Sequence, residues 1–191
     1  MTTYNTFVQT VPAGPPPPTT ITLLLENITA FQNAIGLDGV TQNAWTVAQL
    51  ASGIPKLVLN VPQAGTGTIW YASVYVQKPA GTPPAAYPGL VFSSDNQSGA
   101  GPVGFSVVLD ELTGTVTSSA SSGNFGVNTL TAGSYTFYEM WVSLTDAASS
   151  SELTVELYPT SYGYLGATPL VSGQVGTSAI FTNIIVSTAH P

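Results

Sequence analysis

One pattern governs most of this chain: apolar residues recur at every second position, in run after run. Leu57, Leu59 and Val61 alternate with Val58 and Asn60, and Trp70, Ala72, Val74 and Val76 stand opposite Tyr71, Ser73 and Tyr75. Phe105, Val107 and Leu109 alternate with Ser106, Val108 and Asp110, while Tyr138, Met140, Val142 and Leu144 oppose Phe137, Glu139, Trp141 and Ser143. Leu153, Val155 and Leu157 alternate with Thr154, Glu156 and Tyr158, and Ile180, Thr182, Ile184 and Val186 form the last run. Successive side chains of a strand point to opposite faces, and β-branched and aromatic residues suit that pleated surface. Turn residues punctuate the runs at Ala64-Gly65-Thr66-Gly67, Pro79-Ala80-Gly81, Gly99-Ala100-Gly101-Pro102, Thr113-Gly114 and Gly173-Gln174-Val175-Gly176. Only Leu23 to Leu37 has helical potential, with Asn27 placed to cap a short turn. Many short strands with turn signals and no helical connections predict an all-β chain, an antiparallel sandwich or barrel.

Such a fold must keep its outer surface wet, and this chain does so almost without ions. Lys56 and Lys78 are its only basic residues, against nine acidic ones, for a net charge of −7, and 43% of it is hydrophobic. Two cations cannot neutralise a phosphate backbone, so nucleic acid is excluded as a partner. The arginines and lysines that usually complete an enzymatic site for a charged substrate are missing too. Hydroxyls and amides carry the solubility, which suits a chain packed in an assembly or facing a harsh exterior. A body of about 150 residues buries roughly 68–70% of its unfolded surface, enough for a core of its own. There is no cysteine, hence no disulfide and no thiolate metal site. The first residues show neither a basic n-region nor an apolar h-region, and no apolar run approaches the roughly 18–20 residues that span a bilayer. Neither secretion nor a membrane partner is expected, and the triplets Asn27-Ile28-Thr29 and Asn96-Gln97-Ser98 carry little weight as glycosylation sites.

Residues 1–20 stand apart from the β-domain expected over 21–191. The consecutive prolines Pro15, Pro16, Pro17 and Pro18 hold φ near −65° and remove their N–H donors, which predicts an extended polyproline II rod. It reads either as a stiff spacer or as an arm that lies on a neighbouring subunit through Val11, Pro12 and Pro15 to Pro18. Prolines remove part of the ordering entropy in advance.

Catalytic groups are scarce. His190 is the only histidine and the penultimate residue, expected to face solvent or a contact. Without a second histidine or a cysteine, no Ser-His or Cys-His nucleophile can be assembled, and a histidine metal site is equally unsupported. Paired carboxylates are the remaining route to hydrolysis. Asp110 and Glu111 are adjacent and point to opposite faces of a regular strand; Glu152 and Glu156 share a face but lie roughly 13 Å apart at strand rise. Both pairs read as solvated edge or turn charges. Asp38, Asp95, Asp110 and Asp146 are conceivable calcium ligands, without the dense spacing of a dedicated loop. No cofactor and no metal are expected. Sugars stack on exposed rings, and Tyr158, Tyr162 and Tyr164 cluster in one glycine-containing loop; Tyr71 and Tyr75 share a strand face. These tyrosines either bind a glycan or pack against the second sheet or a neighbouring subunit, where tyrosine is enriched.

The order of segments resembles the carbohydrate-binding-module-like jelly-roll domains of bacteriophage tail and other virion proteins. The likeness is carried by Leu23-Leu24-Leu25-Glu26-Asn27, Phe31-Gln32-Asn33-Ala34, the run Trp70 to Lys78, the run Phe105 to Val116 with its Thr113-Gly114 turn, the run Phe137 to Thr145, and Ser178 to Val186. It covers about residues 21–187 and lies in order and spacing, not in any one motif. Glu139 stands where the family has arginine, and Phe137 where it has tryptophan. The resemblance implies a jelly-roll β-sandwich and a non-enzymatic virion protein: a capsid decoration, cement or appendage subunit. Its partners would be other virion proteins and further copies of itself in a homo-oligomer, a trimer being one arrangement. The alternative is a glycan-binding module for adsorption to the host surface.

Overall fold

The computed structural model describes residues 8–10, 22–26, 28–49, 56–62, 67–80, 87–95, 103–118, 124–146, 151–159 and 178–191. Among these residues there is no helix. They form β1 (Val8–Thr10), β2 (Thr22–Glu26), β3 (Ile28–Ala34), β4 (Ala44–Gln49), β5 (Lys56–Pro62), β6 (Ile69–Gln77) and β7 (Gly89–Ser94). After these come β8 (Val103–Asp110), β9 (Thr115–Ser118), β10 (Phe125–Ala132), β11 (Tyr135–Thr145), β12 (Glu152–Tyr158) and β13 (Ser178–Ser187). Two sheets result. A seven-stranded sheet runs β10-β11-β6-β13-β4-β3, with β1 pairing parallel to the C-terminal half of β13; a six-stranded sheet runs β2-β5-β12-β7-β8-β9.

The topology is that of a rolled ribbon. β4 pairs with β13, β5 with β12, β6 with β11 and β7 with β8, all antiparallel, and successive pairs alternate between the two sheets. Rolling the ribbon brings β13 beside β6 and β12 beside β7, which closes the two sheets into a jelly roll. The sequence expectation of an all-β antiparallel sandwich of jelly-roll type is met over the described residues; the Pro-rich stretch, including Val11, Pro12 and Pro15 to Pro18, lies outside them.

The inward face of each run is the apolar one. Leu57, Leu59 and Val61, Ala72, Val74 and Val76, Phe105, Val107 and Leu109, Met140, Val142 and Leu144, and Leu153, Val155 and Leu157 join one core with Leu90, Phe92 and Phe181. Two expectations fail. Leu23 to Leu37 is not helical: it contributes β2, which pairs with β5 from Thr22↔Asn60 to Glu26↔Lys56, and β3, which pairs with β4. Leucine has good helix propensity, but ladder partners on neighbouring strands override it. The last run does not keep simple alternation either. The register of β13 on β6 slips between Thr182 and Ile185, with Asn183 at φ 47°, so the buried residues are Phe181, Ile184 and Val186. This is a β-bulge, and its left-handed residue is one of the few non-glycine types that tolerate that conformation.

Candidate functional site

The outer face of the seven-stranded sheet collects the polar and aromatic residues that β6, β11, β10 and β13 turn away from the core. Cross-strand register sets Tyr71 beside Ser143, Ser73 beside Trp141, Tyr75 beside Glu139 and Gln77 beside Phe137. On the far side of β11, Gly126 lies opposite Trp141 and Asn128 opposite Glu139. β13 adds Thr182, Ile185 and Ser187 from the other flank.

At one end of this face the rings converge. The Trp141 and His190 ring centres are 4.5 Å apart and those of Tyr71 and His190 5.1 Å, both edge to face, with Tyr71 and Trp141 at 6.3 Å. Trp141 can lie flat over β10 because residue 126 is glycine: a Cβ there would sit 2.7 Å from the indole Cζ2. Next along the face is Glu139, whose carboxylate accepts from Asn128 Nδ2 at 3.1 Å and from the Tyr75 hydroxyl. Burial, and then the Glu139 charge beside it, push the Tyr75 phenol up to about 12, so it stays a proton donor.

The other end is covered. A Cβ on Gly39, in the β3–β4 loop, would sit 2.9 Å from the Ala132 carbonyl at the β10–β11 turn. β3 and β10 are opposite edges of this sheet, so the 35–43 loop crosses from one side to the other. The loop is shaped by Asp38, whose Oδ1 accepts from the N–H groups of Val40 at 3.0 Å and Thr41 at 2.8 Å. Between the two edges, Gln77, Phe137 and Thr182 face away from the core yet are buried, as a covering strap requires. Ser73 Oγ and Gln77 Nε2 are also buried and find no hydrogen-bond partner among the described residues.

The residues singled out from sequence fall differently. Tyr158, expected as an exposed stacking ring, lies on the outer face of the six-stranded sheet opposite Gly89 and is only 5% exposed. Its hydroxyl donates to Glu156, which also accepts from Lys56 Nζ at 2.7 Å, so its ring is committed to packing. Tyr162 and Tyr164 lie outside the described residues. His190 is exposed as expected, yet it is held by two rings and not simply solvated.

The conceivable calcium ligands are each spent locally. Asp95 accepts from Ser151 N–H at 2.8 Å, Ser151 Oγ at 2.7 Å and Glu152 N–H at 2.7 Å, and so ties β7 to β12. Asp146 accepts from Thr68 N–H at 2.7 Å, and Asp110 from Leu112 N–H at 2.9 Å. Among the described residues no three of His, Cys, Asp and Glu gather as a metal site would need. Sequence reasoning marked Tyr71 and Tyr75 as a shared face. It missed Trp141, Asn128 and the strap, because the pairing of β11 with β10 on one side and with β6 on the other, which sets these side chains on one face, was not assigned from alternation alone.

No protein-family model matches the chain, and no curated protein matches it in sequence.

Proposed function

We propose that this chain is a non-enzymatic structural subunit of a bacteriophage particle, a capsid decoration, cement or appendage protein held by neighbouring subunits. What carries the reading is how the acids are spent. Asp38 and Asp110 fix turns, Asp95 and Asp146 tie strand ends, and Glu156 joins Lys56 and Tyr158. Glu111 is buried in the β8–β9 turn, and Glu139 is engaged by Asn128 and Tyr75. Carboxylates committed to turns, strand ends and neighbouring side chains suit a rigid body that is held by its neighbours, not one that gathers acids around a substrate. The order of segments, similar to virion jelly-roll domains, supports the particle. Peptides of this chain should appear in mass spectra of density-purified particles, and labelled antibody should decorate intact particles. Absence from the particle fraction, with the protein abundant in the lysate, overturns the reading.

A second reading is favoured by the Tyr71–Trp141–His190 cluster with Asn128 and Glu139 alongside: a neutral glycan of the host surface stacked on the rings. Binding on a glycan array that is lost in Trp141→Ala, with unchanged melting, supports it. No retention on any envelope polysaccharide removes it.

A further inference from the structure

Exposed sheet edges are templates for pairing, and proteins that stay single protect them with charge, proline, bulges or short length. Among the described residues five strands have an open edge, and four of them are protected; β1 has only three residues. β2 carries Glu26, β9 has only four residues, and β3 breaks register on β4 between Gln32 and Ala34. β10 has none of these. It runs eight residues in unbroken register on β11, has no charge and no proline from Phe125 to Ala132, and leaves Phe125 39% and Leu130 41% exposed.

The backbone of this edge is ordered for a specific pairing. Ser143 N–H donates to the Asn124 carbonyl at 2.8 Å. Antiparallel alternation then turns the backbone groups of Gly126, Asn128, Leu130 and Ala132 toward β11, and those of Phe125, Val127, Thr129 and Thr131 outward. We infer that β10 pairs antiparallel with β10 of a second copy of this chain, across a two-fold axis at Asn128, to make one sheet continuous through both molecules. In that register Val127 meets Thr129 and Phe125 meets Thr131, so every outward N–H and C=O of these residues finds a partner. Leu130 meets Gly126 and the edge of the Trp141 indole that lies over it, and Asn128 meets itself. The two-fold makes the contact self-complementary and closed, so it stops at a dimer. A second copy fits better than a charged partner, because the strip is neutral in a chain of net charge −7. The pairing stands whether or not the chain serves a phage particle.

Light scattering and sedimentation of the full chain test it, with two variants. The unaltered chain should show twice the chain mass. Thr129→Pro removes an outward N–H and leaves the β11 ladder intact, so it should weaken the dimer at least about tenfold with unchanged circular dichroism. Asn128→Cys places thiols opposite each other at a non-hydrogen-bonded pair, within disulfide reach, and no other cysteine is present to compete. It should oxidise to a covalent dimer, while Asn33→Cys on the β3 edge should not. A monomer at high concentration, a trimer, a dimer untouched by Thr129→Pro, or no cross-link through Asn128→Cys each overturns the inference; should Thr129→Pro fail to fold, the cross-link decides.

Discussion

Among the described residues, Glu111 is the acid placed worst for carrying a charge. It sits in the turn between β8 and β9, is 3% exposed, and its neighbour Asp110 is another acid. Burial first, and then the Asp110 charge, push its carboxyl up to about 8. An unfolded chain ionises the same group near the ordinary glutamate value of about 4.3. Between those values the native state holds a proton that the unfolded state has lost, so stability falls as pH rises through this window and levels off above about 8. The loss is on the order of a few kcal/mol. Urea midpoints at about pH 5 and about pH 8 should show it, and Glu111→Gln should flatten the slope. An equal slope in the variant would mean that the pH dependence arises elsewhere. Gly126 makes the opposite point at this scale. Its missing side chain is what lets Trp141 lie over β10, and nothing about an isolated Phe125-Gly126-Val127 announces that its cross-strand partner on β11 is an indole.

At the scale of elements, β13 is where local pattern and final structure part. Read as plain alternation, Ile180, Thr182, Ile184 and Val186 share a face; the bulge puts Ala179, Phe181, Ile184 and Val186 inside instead. One extra residue between Thr182 and Ile185 absorbs the change of parity, and Asn183 takes the left-handed conformation that makes room for it. Asn183→Val should therefore cost about 1–2 kcal/mol, and Asn183→Gly should be within a few tenths of the native chain. Thermal melts of the two variants check this, and equal melting would show that the conformation carries no strain. The runs that contain no such insertion were legible residue by residue: Leu57 to Val61, Ala72 to Val76, Phe105 to Leu109, Met140 to Leu144 and Leu153 to Leu157 all bury the face that alternation assigns. β10 was not legible, since Thr129 and Thr131 make its apolar face weak and its stability comes from β11. Tyr158 looked like a ligand ring because aromatic clustering near a loop says nothing about which outer face is already covered.

For the whole molecule, the scarcity of cations becomes a handle on global opening. Trypsin cleaves after lysine unless proline follows, and Lys78 precedes Pro79, so Lys56 is the one ordinary site in the chain. Lys56 lies in β5, between β2 and β12, with its ammonium held by Glu156 at 2.7 Å. A protease needs several residues of extended, unpaired backbone. Freeing β5 means breaking ladders on both sides, and those strands belong to opposite ends of the sequence: β5 pairs with β12, and the next turn of the ribbon pairs β4 with β13. Lys56 opens β5, and parting the strand over Lys56 to Leu59 also pulls Leu57 and Leu59 out of the core, so cleavage is expected to follow opening of the roll. Native protein should thus survive trypsin under conditions where the urea-unfolded chain splits into fragments 1–56 and 57–191. When opening and closing are fast relative to cleavage, the native cutting rate measures the open population directly. Weakening the core through Phe92→Ala, by about 3–5 kcal/mol, should accelerate cleavage at Lys56 by more than a hundredfold, about tenfold for each 1.4 kcal/mol. Cleavage of the native chain at the unfolded rate, or no acceleration in Phe92→Ala, would mean that β5 opens independently of the rolled ribbon around it.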